Sequence, residues 1–320
     1  MKKRSIPIGA VVLGIIAVVA FLSTPHSAIK QHLSVPKAHY HISSGDAELT
    51  HNLTEDNQRF LIGSITKMIT ASLVFIMEDR GLLSLDDLVV DYIDWYPIDE
   101  DVTIADLLRH TSGIHDGSHE DVFYPAFFNQ TETVTTEVLL SFSTFDNARF
   151  THYANSNYWL LGMILEQVTG QSYEALMYTE IFGPLGLDDA CIPVFDEACD
   201  VVRGYVRLPD GTVFQFDHYD AFISIAGSAG NVAMSAPDLE RFMQALMADE
   251  LFPFERMFCA PSFEQYQCGI QSYGDGWYGH DGQTLDSASL ALMNSDTGDT
   301  VTLLIADAGA DVWAIVESLQ

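Results

Sequence analysis

Lysine is nearly missing from this chain. Lys2, Lys3, Lys30, Lys37 and Lys67 are the only five, and none follows to the C-terminus. Basic residues number 14 against 45 acidic ones, for a formal net charge of -31. A field of that sign repels nucleic acid and anionic lipid, so neither is an expected partner. Cysteine is scarce too: Cys191, Cys199, Cys259 and Cys268, with none of the tight pairs of a zinc knuckle, so no metal or other cofactor is expected. Internal repeats and low-complexity linkers are missing, which excludes a solenoid or a tethered array. Mean hydropathy is only +0.12, which excludes a multi-span membrane protein.

What is present begins with Met1-Lys2-Lys3-Arg4 and an apolar run from Ile6 to Leu22. A basic head before such a run predicts an export signal or an N-terminal membrane anchor over residues 1–28, with one compound domain over 29–320. Ser27-Ala28 is the candidate cleavage point. The destination is then periplasmic or secreted, with membrane attachment as the alternative. In an exported chain an even cysteine count predicts disulfides, and the local pairs 191–199 and 259–268 are the preferred ones of three connectivities.

The hydrophobic period changes twice along the chain. Residues 37–42 and 47–50 alternate and flank the turn Ser44-Gly45-Asp46, predicting two strands. From Ser64, Ile65, Met68, Ile69, Leu73 and Ile76 recur at helical spacing up to Gly81. Further helices are expected over 102–108, from Trp159 to Val168, from Ser172 to Phe182, and from Ala236 to Met247 with Ser235 as cap. Two strands, 289–294 and 300–307, surround the turn 295–299, and a closing helix is expected over 311–319. Strands at both ends with helices between predict an α+β fold: one antiparallel sheet built from both termini, flanked by helices, with an inserted mainly helical subdomain.

Three short stretches carry chemistry. Ser64 and Lys67 stand three residues apart, hence on one helix face near its N-terminus. An activated serine needs a base, and a desolvated lysine serves as one. A lysine snorkelling to water is the plain alternative, but this chain discards lysine almost everywhere else. Tyr153-Ala154-Asn155 precedes a helix; a tyrosine beside a lysine passes protons, and an amide holds a carbonyl. Gly279-His280-Asp281-Gly282 leads into the last strands, and its glycines would let a substrate backbone approach. His110, His115, Asp116, His119 and Glu120 form a polar cluster, but Gly113 and Gly117 make it a loop rather than a metal-binding helix. The aromatic run from Phe123 to Phe128 either lines the mouth of a site or packs as a loop.

Together these stretches resemble the penicillin-recognising serine hydrolases, in the branch holding class C β-lactamases and D-Ala-D-Ala carboxypeptidases. Leu107 to Ile114, Tyr153 to Asn157, Val168 to Tyr173, Gly183 to Leu187 and Ser235 to Leu239 stand in that family's usual order. The resemblance covers roughly residues 35–320 and implies a β-lactamase/transpeptidase-like fold. It implies Ser64 as acylated nucleophile, with Lys67 and Tyr153 sharing the base role. Asn155, His280, Gly282 and Gln283 would bind substrate, and the backbone N–H groups of Ser64 and Gln283 would form the oxyanion hole. The implied substrate is a small molecule or a peptidoglycan peptide, and the implied reaction is D-Ala-D-Ala carboxypeptidase-like hydrolysis. β-Lactamase or carboxylesterase action is the alternative, and a non-catalytic penicillin-binding sensor a further one. Three departures stand out: Asp281 replaces a threonine, Asp286 replaces a glycine and predicts an unusual following strand, and the family's long N-terminal helix is missing or reduced.

Overall fold

Alternating segments from the two ends of the chain meet in one sheet. The computed structural model describes residues 38–44, 47–52, 57–119, 132–145, 151–196, 198–204, 206–207, 213–214, 223–262 and 265–314. The strands are β1 (Ala38–Ser44), β2 (Ala47–Asn52), β3 (Phe60–Leu61), β4 (Ile114–His115), β5 (Thr144–Phe145), β6 (Val206–Arg207), β7 (Val213–Phe214), β8 (Ala233–Met234), β9 (Gln271–Gly274), β10 (Trp277–Gln283), β11 (Ala288–Asn294) and β12 (Thr300–Ile305). The main sheet runs β2-β1-β12-β11-β10-β9, antiparallel throughout, with Ala38 opposite Ile305 at the seam between the two chain ends. The α+β architecture expected from the sequence is therefore the one observed.

The helices are α1 (Thr66–Asp79), α2 (Ile104–Leu108), α3 (Thr136–Leu140), α4 (Asn155–Thr169), α5 (Tyr173–Leu176) and α6 (Ala236–Met247). Every side chain of β11 and β12 is buried, and α6 and the turn before α1 pack on the same face of the sheet, where Thr300 meets Glu240 and Ser289 meets Ile62. At the centre of the insert, α1 is buried from Thr66 to Met77 on all sides, packed by α4 and the segment 227–229. A helix apolar all round belongs in a core, and Lys67 is carried there with it.

Several boundaries differ from expectation for local reasons. Ser64 lies on a 3-10 turn, Gly63–Ile65, that precedes α1. Helix α4 starts at Asn155, four residues before Trp159, because its first turn is built from polar residues that show no apolar period. The helix from Tyr173 widens into a π-helical stretch, Met177–Phe182, and runs through Pro184 to a left-handed Gly186 instead of stopping at Gly183. Asp286 disturbs nothing in β11, which is regular. It sits in the β10–β11 hairpin, where its carboxylate accepts from Gly204 N–H at 3.1 Å and Thr284 Oγ1 at 2.9 Å.

Both disulfides join the local pairs, Cys191–Cys199 and Cys259–Cys268. The N-terminal run, the family's N-terminal helix, Phe123 to Phe128 and residues 315–319 lie outside the described residues. Among the described residues no helix is long and apolar enough to cross a membrane.

Candidate active site

The site is assembled where the insert meets the edge of the sheet. Beyond Gly279, β10 has no strand partner on its outer side among the described residues, since β9 pairs only with Trp277 to Gly279. That free end approaches the turn carrying Ser64. Gly63 is left-handed, with φ +51°, and a Cβ on it would lie 2.8 Å from Gln283 N. Any side chain there would separate the Ser64 turn from the Gln283 backbone. At Gly282 a Cβ would meet Ile62 O at 2.0 Å. The space that a side chain at Gly282 would need is thus taken by the protein's own backbone.

Lys67 is fully buried and its Nζ has three partners: Ser64 Oγ at 2.9 Å, Asn155 Oδ1 at 2.8 Å and Ala229 O at 2.9 Å. Desolvation lowers its pKa to about 7, partly opposed by the charges of Asp116 and Asp281. Two of the three partners are carbonyl oxygens, which only accept. A neutral amine has two N–H bonds and one lone pair. The N–H bonds go to Asn155 and Ala229, so the lone pair faces the Ser64 hydroxyl, the one partner able to donate. The Lys67 Nζ also lies 4.8 Å from the centre of the Tyr153 ring.

The Tyr153 hydroxyl is sealed from solvent and completes no hydrogen bond among the described residues. Burial pushes its phenol well above the ordinary tyrosine range, with the nearby Ser64 hydroxyl opposing the shift. At neutral pH the phenol is protonated.

Asn155 stands in the first turn of α4, aimed by a loop that the sequence reading undervalued. The Asp116 carboxylate is buried and accepts from Asn155 N–H and from Ser118 N–H, both at 2.9 Å. Ser118 Oγ accepts from Asn155 Nδ2 at 3.1 Å, which leaves Oδ1 for Lys67. His110, left-handed at φ 57°, is buried as well. Its Nδ1 accepts from Ala154 N–H at 3.2 Å and Asn157 Nδ2 at 2.9 Å. The polar loop after α2 is therefore a clamp on the 153–157 backbone. Among the described residues no group of three or more His, Cys, Asp or Glu is placed to hold a metal; the His119 side chain and Glu120 lie outside them.

A second clamp, residues 226–231, had no signature beyond a run of small residues. Trp159 Nε1 donates to Ala226 O at 3.0 Å, Ser228 Oγ to Tyr158 O at 2.8 Å, and Thr70 Oγ1 to Ser228 O at 2.8 Å. Ala229 O is thereby fixed against Lys67. Small side chains permit this close approach to α1 and α4.

A cavity of about 90 Å³ opens in front of Ser64. Ser64, Asn155 and Gln283 line it with Ser118 and Thr284, opposite an apolar wall of Leu61, Trp159, Ile223, Ile225, Ala226 and Leu285. Lys67 stands behind Ser64. His280, expected to bind substrate, stands behind the wall too: it is buried, with Nε2 3.3 Å from Tyr266 Oη and Nδ1 against its own strand at Asp281 O. Burial lowers its pKa to about 4, partly offset by Asp281, so the imidazole is neutral at pH 7. The structure thus places Ser64, Asn155 and Gln283 on the cavity wall, with Lys67, Tyr153, His280 and Gly282 in the layer behind it.

The sequence profile of the family described as Beta-lactamase matches residues 37–312. The chain is 26% identical over 256 residues to the Bacillus subtilis protein PbpX, named as a penicillin-binding protein, covering 78% of this chain and 62% of that one. It is 27% identical over 202 residues to a teichoic acid D-alanine hydrolase of Staphylococcus aureus, covering 61% and 48%. The chain thus spans less than two thirds of the length of these curated relatives. Among solved structures, a D-stereospecific amidohydrolase from Streptomyces sp. superposes with a TM-score of 0.79 at 26% identity, covering 92% of this chain and 98% of that one.

Proposed function

The chain belongs to the Beta-lactamase family of serine hydrolases, and on that premise we propose that it cleaves D-aminoacyl peptide, amide or ester bonds through an acyl-Ser64 intermediate. The observation that carries the proposal is the Lys67 lone pair facing Ser64 from a fully buried amine whose pKa is lowered to about 7. A base with a pKa near the working pH is the most effective one.

Ser64 Oγ attacks the substrate carbonyl and its proton passes to neutral Lys67. The N–H groups of Ser64 and Gln283 hold the oxyanion, a contribution of about 3 kcal/mol for a donor of this kind. The bond to the leaving group breaks, and that group takes up a proton through protonated Tyr153, which is recharged from Lys67. Water then attacks acyl-Ser64 by the same proton path, releasing the acid and restoring the serine. Lys67 is the acylation base in this scheme because the Tyr153 phenol is held in its protonated form. D-Ala-D-Ala carboxypeptidase action is one form of this chemistry, as is β-lactam hydrolysis. A non-catalytic sensor has no use for a base poised at half-ionisation. The two disulfides support a proposal that the chain works outside the reducing cytoplasm, exported by its N-terminal segment.

A fluorophosphonate probe tests the reading. Wild-type protein should be labelled on Ser64 and Ser64→Ala should not. Hydrolysis of a D-phenylalanyl anilide should disappear in the same variant. A wild type that neither labels nor turns over would refute the proposal.

A further inference from the structure

The proposed chemistry leaves open what surrounds the scissile bond, and the charges near the cavity bear on it. Beyond residue 37 the chain has one lysine and eight arginines. Lys67 has all its N–H bonds committed within the protein. Arg59, Arg80, Arg109, Arg241 and Arg256 are each paired with a carboxylate, none of them on a residue lining the cavity, while the side chains of Arg149 and Arg207 lie outside the described residues. The described cavity wall contains no lysine, arginine or histidine. His280, the nearest imidazole on β10, is neutral with both ring nitrogens engaged.

Negative charge, by contrast, is close. Buried Asp116 and half-exposed Asp281 are the two carboxylates whose fields reach Lys67, and both also reach Tyr153. Asp281 lies on the unpaired edge of β10, two residues from Gln283, and its Oδ1 is 3.8 Å from the uncharged His280. No described cation neutralises it. Among the described residues, a substrate carboxylate placed next to the scissile bond would therefore find no cationic side chain on the cavity wall, with Asp116 and Asp281 nearby. An anion set beside two carboxylates without a counter-charge is disfavoured.

We propose that the cavity takes D-aminoacyl amides or esters whose leaving group carries no carboxylate, with an apolar acyl side chain against Trp159, Ile223 and Ile225, and that Asp281 enforces the exclusion. This rests on the acyl-Ser64 reading above. It narrows that reading away from free-carboxylate peptides.

The test uses two compounds with the same scissile bond: D-phenylalanyl-D-alanine with its free carboxylate, and its neutral methylamide. The neutral compound should have at least a tenfold higher kcat/KM, and Asp281→Asn should shrink that ratio several-fold. Added salt should shrink it in the wild type as well. Protection of Ser64 from the fluorophosphonate by each compound gives the same comparison without turnover. Equal or better use of the carboxylate compound would overturn the inference, as would a ratio unchanged in Asp281→Asn, and either result leaves the serine-hydrolase reading standing. Failure of the wild type to label, bind or turn over removes both.

Discussion

Replacing Lys67 by methionine should change the pH dependence of stability in a calculable way. In the folded chain burial lowers the lysine pKa from 10.5 to about 7. Between those values the unfolded chain holds a proton that the folded chain has released. Stability of the wild type therefore rises with pH across that window. The burden is fully present below pH 7, where at about 1.4 kcal/mol per pH unit it amounts to roughly 5 kcal/mol. By pH 9 about half of it is gone, so between pH 6 and pH 9 the wild type should gain about 3 kcal/mol relative to Lys67→Met. The three lost hydrogen bonds are the same at both pH values and drop out of the comparison. His110, His280 and the buried tyrosines titrate in both proteins and largely cancel. Urea unfolding of both proteins at pH 6 and pH 9, with disulfides intact, measures the quantity directly. A stability gap between the two proteins that stays constant to within about 1 kcal/mol would refute the placement of a desolvated, titrating amine behind Ser64.

Two further substitutions probe how the site is held. Asp116→Asn removes a negative charge that favours the Lys67 ammonium, so the acid limb of kcat/KM should move to lower pH; a limb that stays put or moves upward would show that Asp116 does not set this base. The same variant should lose about 1–3 kcal/mol of stability, because an NH₂ group then faces the N–H of Asn155 or Ser118. Gly63→Ala puts a methyl 2.8 Å from Gln283 N at a left-handed residue, and should cut turnover by about 100-fold while circular dichroism stays folded. Turnover at the wild-type rate would mean that the Ser64–Gln283 spacing is not the oxyanion site.

Much of this was legible in the sequence, for identifiable reasons. The hairpin of β1 and β2 alternates, and β11 and β12 surround an obvious turn, so the sheet from both termini followed from pattern alone. Lys67 was conspicuous because the composition had removed its competitors. The two disulfides followed from short separations. β9 and β10 were harder, since Gln271–Gly274 and Trp277–Gln283 are rich in glycine and aromatics, not β-branched residues. The clamps were illegible: Asp116 and His110 act through hydrogen bonds to backbone brought near by the fold, and residues 226–231 act by being small. The close approach of Ile62 to Gly282 was equally illegible, because it joins residues far apart in the chain.

The seam of the sheet has a consequence for how the molecule comes into being. β1 pairs with β12, Ala38 against Ile305, while Ser64 depends on Gln283 and Lys67 on Ala229. Contacts between chain ends carry the heaviest loop-closure cost and form late. During synthesis Ser64 emerges early and remains without the Gln283 backbone until almost the last strand has been made. The proposed reactivity of Ser64 would thereby be tied to completion of the fold: a half-folded chain presents an ordinary serine, and only the assembled topology would arm it.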